Sequence, residues 1–465
     1  MLFYSNLARF RFFCRRHCRS IHVGDGLLQE LYSRALVADV TRPQKLADEL
    51  RHGPRAVYVG VDPTAASLHV GHLVPLMCAL HFHLRGHRVI PLIGGATGLI
   101  GDPSGRLHER RLLETTQLHD NVSNLKRAVE KFFSVGRNYA EHRLQGTFAG
   151  NSDPEAANNM HWLGDLSLLD FLNVAGKHSR VNTMIARESV QSRMTSQQGI
   201  SFTEFTYQLL QAYDFYHLHR NFGCTIQIGG TDQWGNMLAG IDLIQKANEG
   251  AEGRSTDAYG VTTPLLTTAS GDKFGKSDGN AVWLDSDMTS VFEFYQFFLK
   301  TPDSDVGKYL KMFSLLPLER IDSALSEHTN SPEKHIAQRL LADEVTELVH
   351  GTDGVRRAHA ATHALFETDL SQVDAGDIVS ALTGDPRLVP CSHAEVMEKQ
   401  IALLATTYNL TKSNAEARRL AESKGLYLNN RFVSKGETLQ PHHLLQGKVA
   451  ILRAGKDKHV VLAVR

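Results

Sequence analysis

Apolar positions along the chain alternate between two rhythms. Ala56-Val57-Tyr58-Val59-Gly60-Val61 is a short, nearly continuous apolar run and reads as a buried strand, ended by Asp62-Pro63-Thr64. From Leu73 the apolar residues fall three and four apart (Leu76, Met77, Leu80, Leu84), which predicts a helix with Gly86 as its C-cap. Residues 88–93 read as a second buried strand, and 225–228 as a further one running into Gly229-Gly230. Helical spacing also marks 27–50 and, in a more polar form, 109–150. Residues 202–222 form one strong helical element, with Phe202, Phe205, Leu209, Leu210, Tyr213 and Phe215 in step. Strands alternating with helices through glycine turns predict an α/β fold built on a doubly wound parallel sheet. From 289 to 366 the pattern is helical throughout. Residues 367–394, richer in Gly, Pro, Asp and Ser, read as a linker. Beyond about 400 a helix-like stretch at 414–423 and β-like runs at 426–428, 448–452 and 460–464 predict a small α+β module.

Composition changes this picture in three places. At 465 residues the chain implies two to four domains, and its 42% apolar and 22% charged content is that of a globular protein. No apolar run approaches the ~18 residues of a membrane span. The formal net charge is zero, but residues 401–465 carry eleven Lys and Arg against four Asp and Glu, which makes the end module a nucleic-acid-binding candidate. The first twenty residues hold Arg9, Arg11, Arg15, Arg16 and Arg19 and no acid. Such a start resembles a mitochondrial transit peptide; the plainer alternative is a basic arm that binds RNA or nothing. The five cysteines (Cys14, Cys18, Cys78, Cys224, Cys391) form no C-x-x-C pair, so neither a zinc site nor a disulfide framework is indicated. Cys78 and Cys224 lie in apolar stretches and read as small buried residues.

The turns carry the candidate chemistry. His69-Val70-Gly71-His72 lies between the first strand and its helix. First-turn amides there lack helical partners and favour an anion, with imidazole donors alongside and Gly71 allowing close approach. Taken alone, such a tetrapeptide is equally an ordinary turn. The stretch from Gly94 to Gly105, with Thr97, Asp102 and Ser104, lies beyond the second strand's carboxyl end, where open α/β sheets bind ligands. Tyr207, Gln211 and Asp214 share one face of the 202–222 helix; this is either a solvated face or a pocket for one small ligand. Gly229-Gly230-Thr231-Asp232-Gln233-Trp234 ends the later strand. Lys273-Phe274-Gly275-Lys276-Ser277 is a glycine-framed pair of cations that, by itself, is a solvated surface loop.

Five such motifs in this order resemble the tyrosyl-tRNA synthetases of bacterial and mitochondrial type, which are class I aminoacyl-tRNA synthetases. The resemblance runs from about residue 30 to the C-terminus. It implies a Rossmann-like catalytic domain over 29–285, with a connective and dimer region at 118–200, after a transit peptide at 1–28. It further implies a helical anticodon-recognition domain at 286–366, the linker at 367–394 and an RNA-binding module at 395–465. The implied activity is tyrosine–tRNA ligation in the mitochondrial matrix: ATP and L-tyrosine give tyrosyl-adenylate and pyrophosphate, and the tyrosyl group passes to the terminal adenosine of tRNA(Tyr). The tyrosine carboxylate is the nucleophile, so the enzyme must position it and stabilise charge on the phosphates.

By the same resemblance, Thr64, His69, Lys273 and Lys276 serve the phosphates, joined by Ser277 and, near the loop, Arg106 and Arg110. His72 and Asp232 serve the ribose, and Gly71 and Gly230 allow close backbone approach. Tyr58 and Asp214 take the substrate phenol. Asp102, Tyr207 and Gln211 take the α-ammonium, with Asp62 also in the tyrosine site and Gln233 near the reacting carboxylate. Lys412, Arg418, Arg419 and Lys424 contact tRNA phosphates. Mg²⁺ arrives on the ATP, no resident metal is implied, and the enzyme works as a homodimer. A pocket carboxylate that expects a phenol is left unpaired by phenylalanine, which gives discrimination without editing.

The chain departs from the family at Val59, where some bacterial members have a ribose-binding Cys, and at Lys-Phe-Gly-Lys-Ser, where the wider class has Lys-Met-Ser-Lys-Ser. Pro75 falls in the first turn of its helix, where its missing N–H costs little. Two rival readings are a small nucleotidyltransferase, which would lack the C-terminal half, and an RNA-binding protein that kept the fold but lost the chemistry.

Overall fold

The computed structural model describes residues 26–105, 108, 113–144, 152–196, 199–249, 253, 255–267, 276–277, 280–366, 370, 373–455 and 458–465. They form two compact units. One comprises the chain up to Gly275 with Ser304–Thr329; the other comprises Lys276–Asp303 with Asn330–Arg465.

The first unit is built on a five-stranded sheet: β1 (Ala56–Val61), β2 (Arg88–Ile93), β3 (Ala157–Asn158), β4 (Cys224–Gly230) and β5 (Tyr259–Thr263). Their order is β3-β2-β1-β4-β5, and every pairing is parallel. Parallel strands covered on both faces need continuous apolar runs, and Val57, Tyr58 and Val59 of β1 are each at most 2% exposed. Helix Leu73–Leu84 is buried all round, Pro75 alone excepted. Helix Phe202–Phe222 starts where the Ser201 hydroxyl accepts from the Glu204 amide and stops at Gly223, whose φ of 64° is left-handed. Cys78 and Cys224 are both buried. Strand order reverses between β1 and β4, so their carboxyl ends frame a crevice, the place where such sheets bind ligands.

Sequence periodicity misses the short strands β3 and β5, and the first helical stretch divides into Leu27–Ser33 and Pro43–Arg51. Leu27 (1% exposed) and Leu28 (8%) already belong to the core, so the folded unit begins before residue 28; residues 1–25 lie outside the described part. Arg34 donates to the carbonyls of Ser314 (2.9 Å) and Leu316 (2.9 Å), which ties the 304–329 segment into this unit.

The second unit contains a two-residue ladder, β6 (Lys276–Ser277) with β7 (Asn280–Ala281), then helices Val291–Leu299 and Ile336–Phe366. The latter reverses at Gly351 (φ 73°, ψ 178°), and Asp343 Oδ1 meets His359 Nε2 at 2.5 Å across the bend, although sixteen residues separate them. The terminal sheet has order β10-β9-β11-β12-β8: β8 (Leu388–Cys391), β9 (Leu426–Leu428), β10 (Arg431–Phe432), β11 (Val449–Ala454) and β12 (Lys458–Val464). The stretch expected to be a linker instead supplies helix Ala375–Ala381 and strand β8, which pairs parallel with β12. Asp374 caps that helix, and Ala375, Ile378, Ala381 and Leu382 are fully buried beside Val449, Ile451 and Val461. Its overall composition is turn-like, yet four apolar residues at helical spacing suffice to bury it. Among the described residues, no helix is long and apolar enough to cross a membrane.

Candidate functional site

A cavity of about 250 Å³ opens at the carboxyl ends of β1 and β4. Tyr58, Asp62, Thr64, His72, Asp102, Tyr207, Gln211, Asp214, Gly230, Asp232 and Gln233 all line it, so residues from four separate motifs meet in one place.

At its inner end stands Asp214, 2% exposed, whose two oxygens accept from Asn159 Nδ2 (2.9 Å) and Trp162 Nε1 (2.7 Å). Both donors are neutral. Burial therefore dominates and pushes this carboxyl up to about 7, against the pull of its two hydrogen bonds. Beside it the Tyr58 hydroxyl is buried without a hydrogen-bond partner among the described residues, and burial together with the Asp214 charge raises its pKa well above the ordinary phenol value. An orphaned hydroxyl next to a carboxylate with remaining acceptor capacity matches a ligand that carries one O–H: that group donates to Asp214 and accepts from Tyr58.

Nearer the mouth is a set of acceptors. The Tyr207 hydroxyl donates to Asp62 Oδ2 (2.7 Å), leaving its own oxygen able to accept. Thr97 donates to Asp62 Oδ1 (2.8 Å) and accepts from Asn159 Nδ2 (3.0 Å), so one chain of hydrogen bonds joins this group to Asp214. Asp102 Oδ2 accepts from Gln233 Nε2 (2.7 Å), and Asp102 Oδ1 from the Ser104 amide (2.9 Å). Asn236 Nδ2 holds Gln211 Oε1 at 3.1 Å. Carboxylate, amide and phenol oxygens converging in this way suit a cation such as an ammonium.

On the turn that follows β1, His69 Nδ1 accepts from the Gly71 amide (3.0 Å) and His72 Nδ1 from the His69 amide (3.1 Å). A backbone N–H can only donate, so Nδ1 is bare in both rings and the proton sits on Nε2. Burial, with His69 adjacent, pushes His72 down to about 3, and burial lowers His69 as well. Both are neutral Nε2–H donors at pH 7. A Cβ on Gly71 would come within 2.7 Å of the His69 ring, one on Gly230 within 2.4 Å of Asp232 Oδ1, and one on Gly94 within 2.0 Å of Asp62 Oδ1. Gly71 and Gly230, expected to make room for the ligand, make room first for the site's own side chains. A second cavity of about 600 Å³, lined by Gly105, Arg187, Glu188, Thr231 and Trp234, shares Asp232 with the first.

Sequence reasoning missed Asn159, Trp162 and Asn236, which touch the ligand-facing carboxylates rather than forming a motif. Arg106, Arg110 and Lys273 lie outside the described residues; Lys276 and Ser277 are described only as the backbone of β6. Lys412, Arg418, Arg419 and Lys424 are all exposed on the second unit, Arg418 and Arg419 on helix Asn414–Glu422.

The chain's resemblances agree with this chemistry. The model of class I tRNA synthetases for tryptophan and tyrosine matches residues 50–367. The mitochondrial tyrosine–tRNA ligase of Saccharomyces cerevisiae is 39% identical over 95% of this chain and 89% of its own length. A tyrosine–tRNA ligase of Escherichia coli is 41% identical over 94% of this chain and 98% of its own length. The crystal structure of a C-terminally truncated mitochondrial tyrosyl-tRNA synthetase from Aspergillus nidulans superposes with a TM-score of 0.67 at 36% identity, over 73% of this chain and 94% of that one. The parallel sheet, the cavity at its switch point and these relatives together mean that the chain belongs to the tyrosine–tRNA ligase family of class I tRNA synthetases.

Proposed function

We propose that the cavity activates L-tyrosine with ATP, releasing pyrophosphate, and that the tyrosyl group of the adenylate is passed to the 3′-terminal adenosine of tRNA(Tyr), releasing AMP, in the mitochondrial matrix. The observation that carries this reading is the partnerless Tyr58 hydroxyl beside Asp214, a site shaped for one phenol. The substrate phenol donates to Asp214 and accepts from Tyr58. Its ammonium is met by Asp102, Tyr207 and Gln211, with Asp62 orienting Tyr207. That leaves the carboxylate directed toward Gln233 and the nucleotide. ATP brings its Mg²⁺ as part of the substrate. His69 and Thr64 donate to its phosphates, together with Lys273, Lys276, Ser277, Arg106 and Arg110, while His72 and Asp232 hold the ribose. No group needs to remove a proton in this step, which fits two histidines that are neutral donors rather than bases.

The mitochondrial setting is supported by the Arg-rich, acid-free first twenty residues and by the mitochondrial relatives. Homodimer formation through the 118–200 region is supported by exposed apolar side chains in and beside it, among them Leu168 (69% exposed), Leu169 (72%), Val181 (57%) and Phe202 (80%). The basic module from 395 takes the tRNA, with Lys412, Arg418, Arg419 and Lys424 on its phosphates.

ATP–pyrophosphate exchange tests the reading. Tyrosine alone among the amino acids should support exchange. Comparable exchange with phenylalanine or tryptophan would overturn the assignment of Tyr58 and Asp214.

A further inference from the structure

In the terminal sheet, Phe432 of β10 pairs with Tyr427 of β9, and Tyr427 pairs with Arg453 of β11. Directly paired residues project from the same face, so the three form a row across three strands. The Tyr427 and Phe432 rings are 4.8 Å apart, and the Arg453 guanidinium lies 3.5 Å from the centre of the Tyr427 ring. Lys424 brings its ammonium to 6.0 Å from the Phe432 ring. Elsewhere this face is closed: Val449, Ile451 and Val461 are buried under Ala361, Leu365, Ile378 and Leu382. The row itself is open, and Phe432 is 50% exposed on an edge strand. A half-exposed phenylalanine on a sheet edge is a liability unless something covers it. The charge around it argues for what that is. Among the described residues the neighbouring acids are engaged, Glu437 with Arg431, Glu422 with Lys435 and Glu416 with the Lys412 amide, while Lys424 lies beside the Phe432 ring and Arg453, which also donates to the Gly455 carbonyl, beside that of Tyr427. Rings with cations at their margins suit a flat, polarisable group joined to an anionic backbone.

We propose that Phe432, with Tyr427 and Arg453, is a stacking platform for an unpaired base of the tRNA. This rests on the reading that the basic module binds tRNA, and it adds a contact of a different kind from the phosphate contacts already assigned. Stacking is insensitive to salt, whereas phosphate contacts are not. The test is binding of a tRNA(Tyr) transcript to the full chain over a range of salt concentrations, with sedimentation and thermal melting as controls. Phe432→Ala should weaken binding roughly tenfold with the salt slope unchanged. Phe432→Trp, which keeps a π face, should restore affinity; Phe432→Leu, apolar but without one, should not. The combined Lys412, Arg418, Arg419 and Lys424 to Ala variant should flatten the salt slope instead. If that variant weakens binding and Phe432→Ala does not, the platform is wrong and the module reading stands. If neither weakens binding, the module reading falls and takes the platform with it. Full affinity in Phe432→Leu would also overturn stacking, as would a change of oligomeric state in Phe432→Ala with RNA affinity intact, since a second copy would then cover the face.

Discussion

Two carboxylates of the first unit are treated in opposite ways. Glu30, on helix Leu27–Ser33, sits against Arg34 Nε at 2.9 Å and against Arg85, whose side chain is almost fully buried. Burial opposes its ionisation, but its cationic neighbours outweigh that and hold it down at about 2. Where Glu30 titrates, protonated His81 is the strongest of those neighbours; burial pushes His81 down to about 3, so at pH 7 it is neutral and the two arginines are the charges that face Glu30. Among the described residues, Asp214 has no cation within hydrogen-bonding reach. Its donors are an amide and an indole, and it lies up at about 7. A carboxylate whose charge is already matched can only hold parts together. One held by neutral donors beside an orphaned hydroxyl still has something to bind.

The largest effect should therefore separate the two sites cleanly. Asp214→Ala leaves the incoming phenol with Tyr58 as its donor but with no acceptor for its own proton, and should lower kcat/KM for tyrosine in pyrophosphate exchange by roughly a hundredfold or more. The KM for ATP should stay put, because the nucleotide end uses other residues. Loss of ATP affinity in parallel would mean that Asp214 supports the whole site rather than one end of it.

Glu30→Gln should do the reverse. It leaves Arg34 and Arg85 without their charge partner, which for a fully buried pair costs about 3–5 kcal/mol and for a glutamate one-third exposed about 1–3. Chemical denaturation should show that loss with tyrosine exchange within twofold of the parent. In the parent, Glu30 contributes stability above the unfolded pKa of 4.5, and this is lost as pH falls toward about 2. Glu30→Gln should lack that acid-side step.

What could be seen in the sequence follows the same division. Strands β1 and β2 and helix Phe202–Phe222 have the bounds that periodicity predicts, because periodicity is local information. Tyr207, Gln211 and Asp214 stand out as polar residues on one face of an apolar helix. Their supports do not: Asn159 and Trp162 lie more than fifty residues from Asp214, and Arg85 lies fifty-five from Glu30. A lone Asn or Trp carries no spacing signal, and its function exists only once the sheet has brought the loops together. The 367–394 stretch failed differently, since its turn-forming residues hid the four apolar positions that decide its packing.

A pH profile sharpens the comparison at intermediate size. Only ionised Asp214 accepts fully from a phenol, so the KM for tyrosine should be flat above about pH 7 and rise about tenfold per unit below it. Asp214→Asn should remove the inflection. The stability sign is opposite to that of Glu30. The folded carboxyl keeps its proton to higher pH than the unfolded one, at 3.8, so the group costs stability as pH rises from about 4 to 7. Asp214→Asn should raise the melting temperature at pH 8 and leave it unchanged near pH 3.

The smallest effect probes the donors themselves. Trp162 stacks on His217 with ring centres 4.4 Å apart and planes 11° apart, so Trp162→Phe keeps that packing and removes only the indole N–H. Asn159 then holds Asp214 alone. Losing one donor to the charged form should raise the KM for tyrosine about fivefold at pH 8 and move its inflection upward, because the carboxylate has become easier to protonate. Trp162→Ala, which also removes the stack, should cost more without moving the inflection further. An unmoved inflection in Trp162→Phe would mean that neutral donors do not set the ionisation of this carboxylate. The contrast with Glu30 would then rest on burial and on the cations that Glu30 has beside it and Asp214 does not.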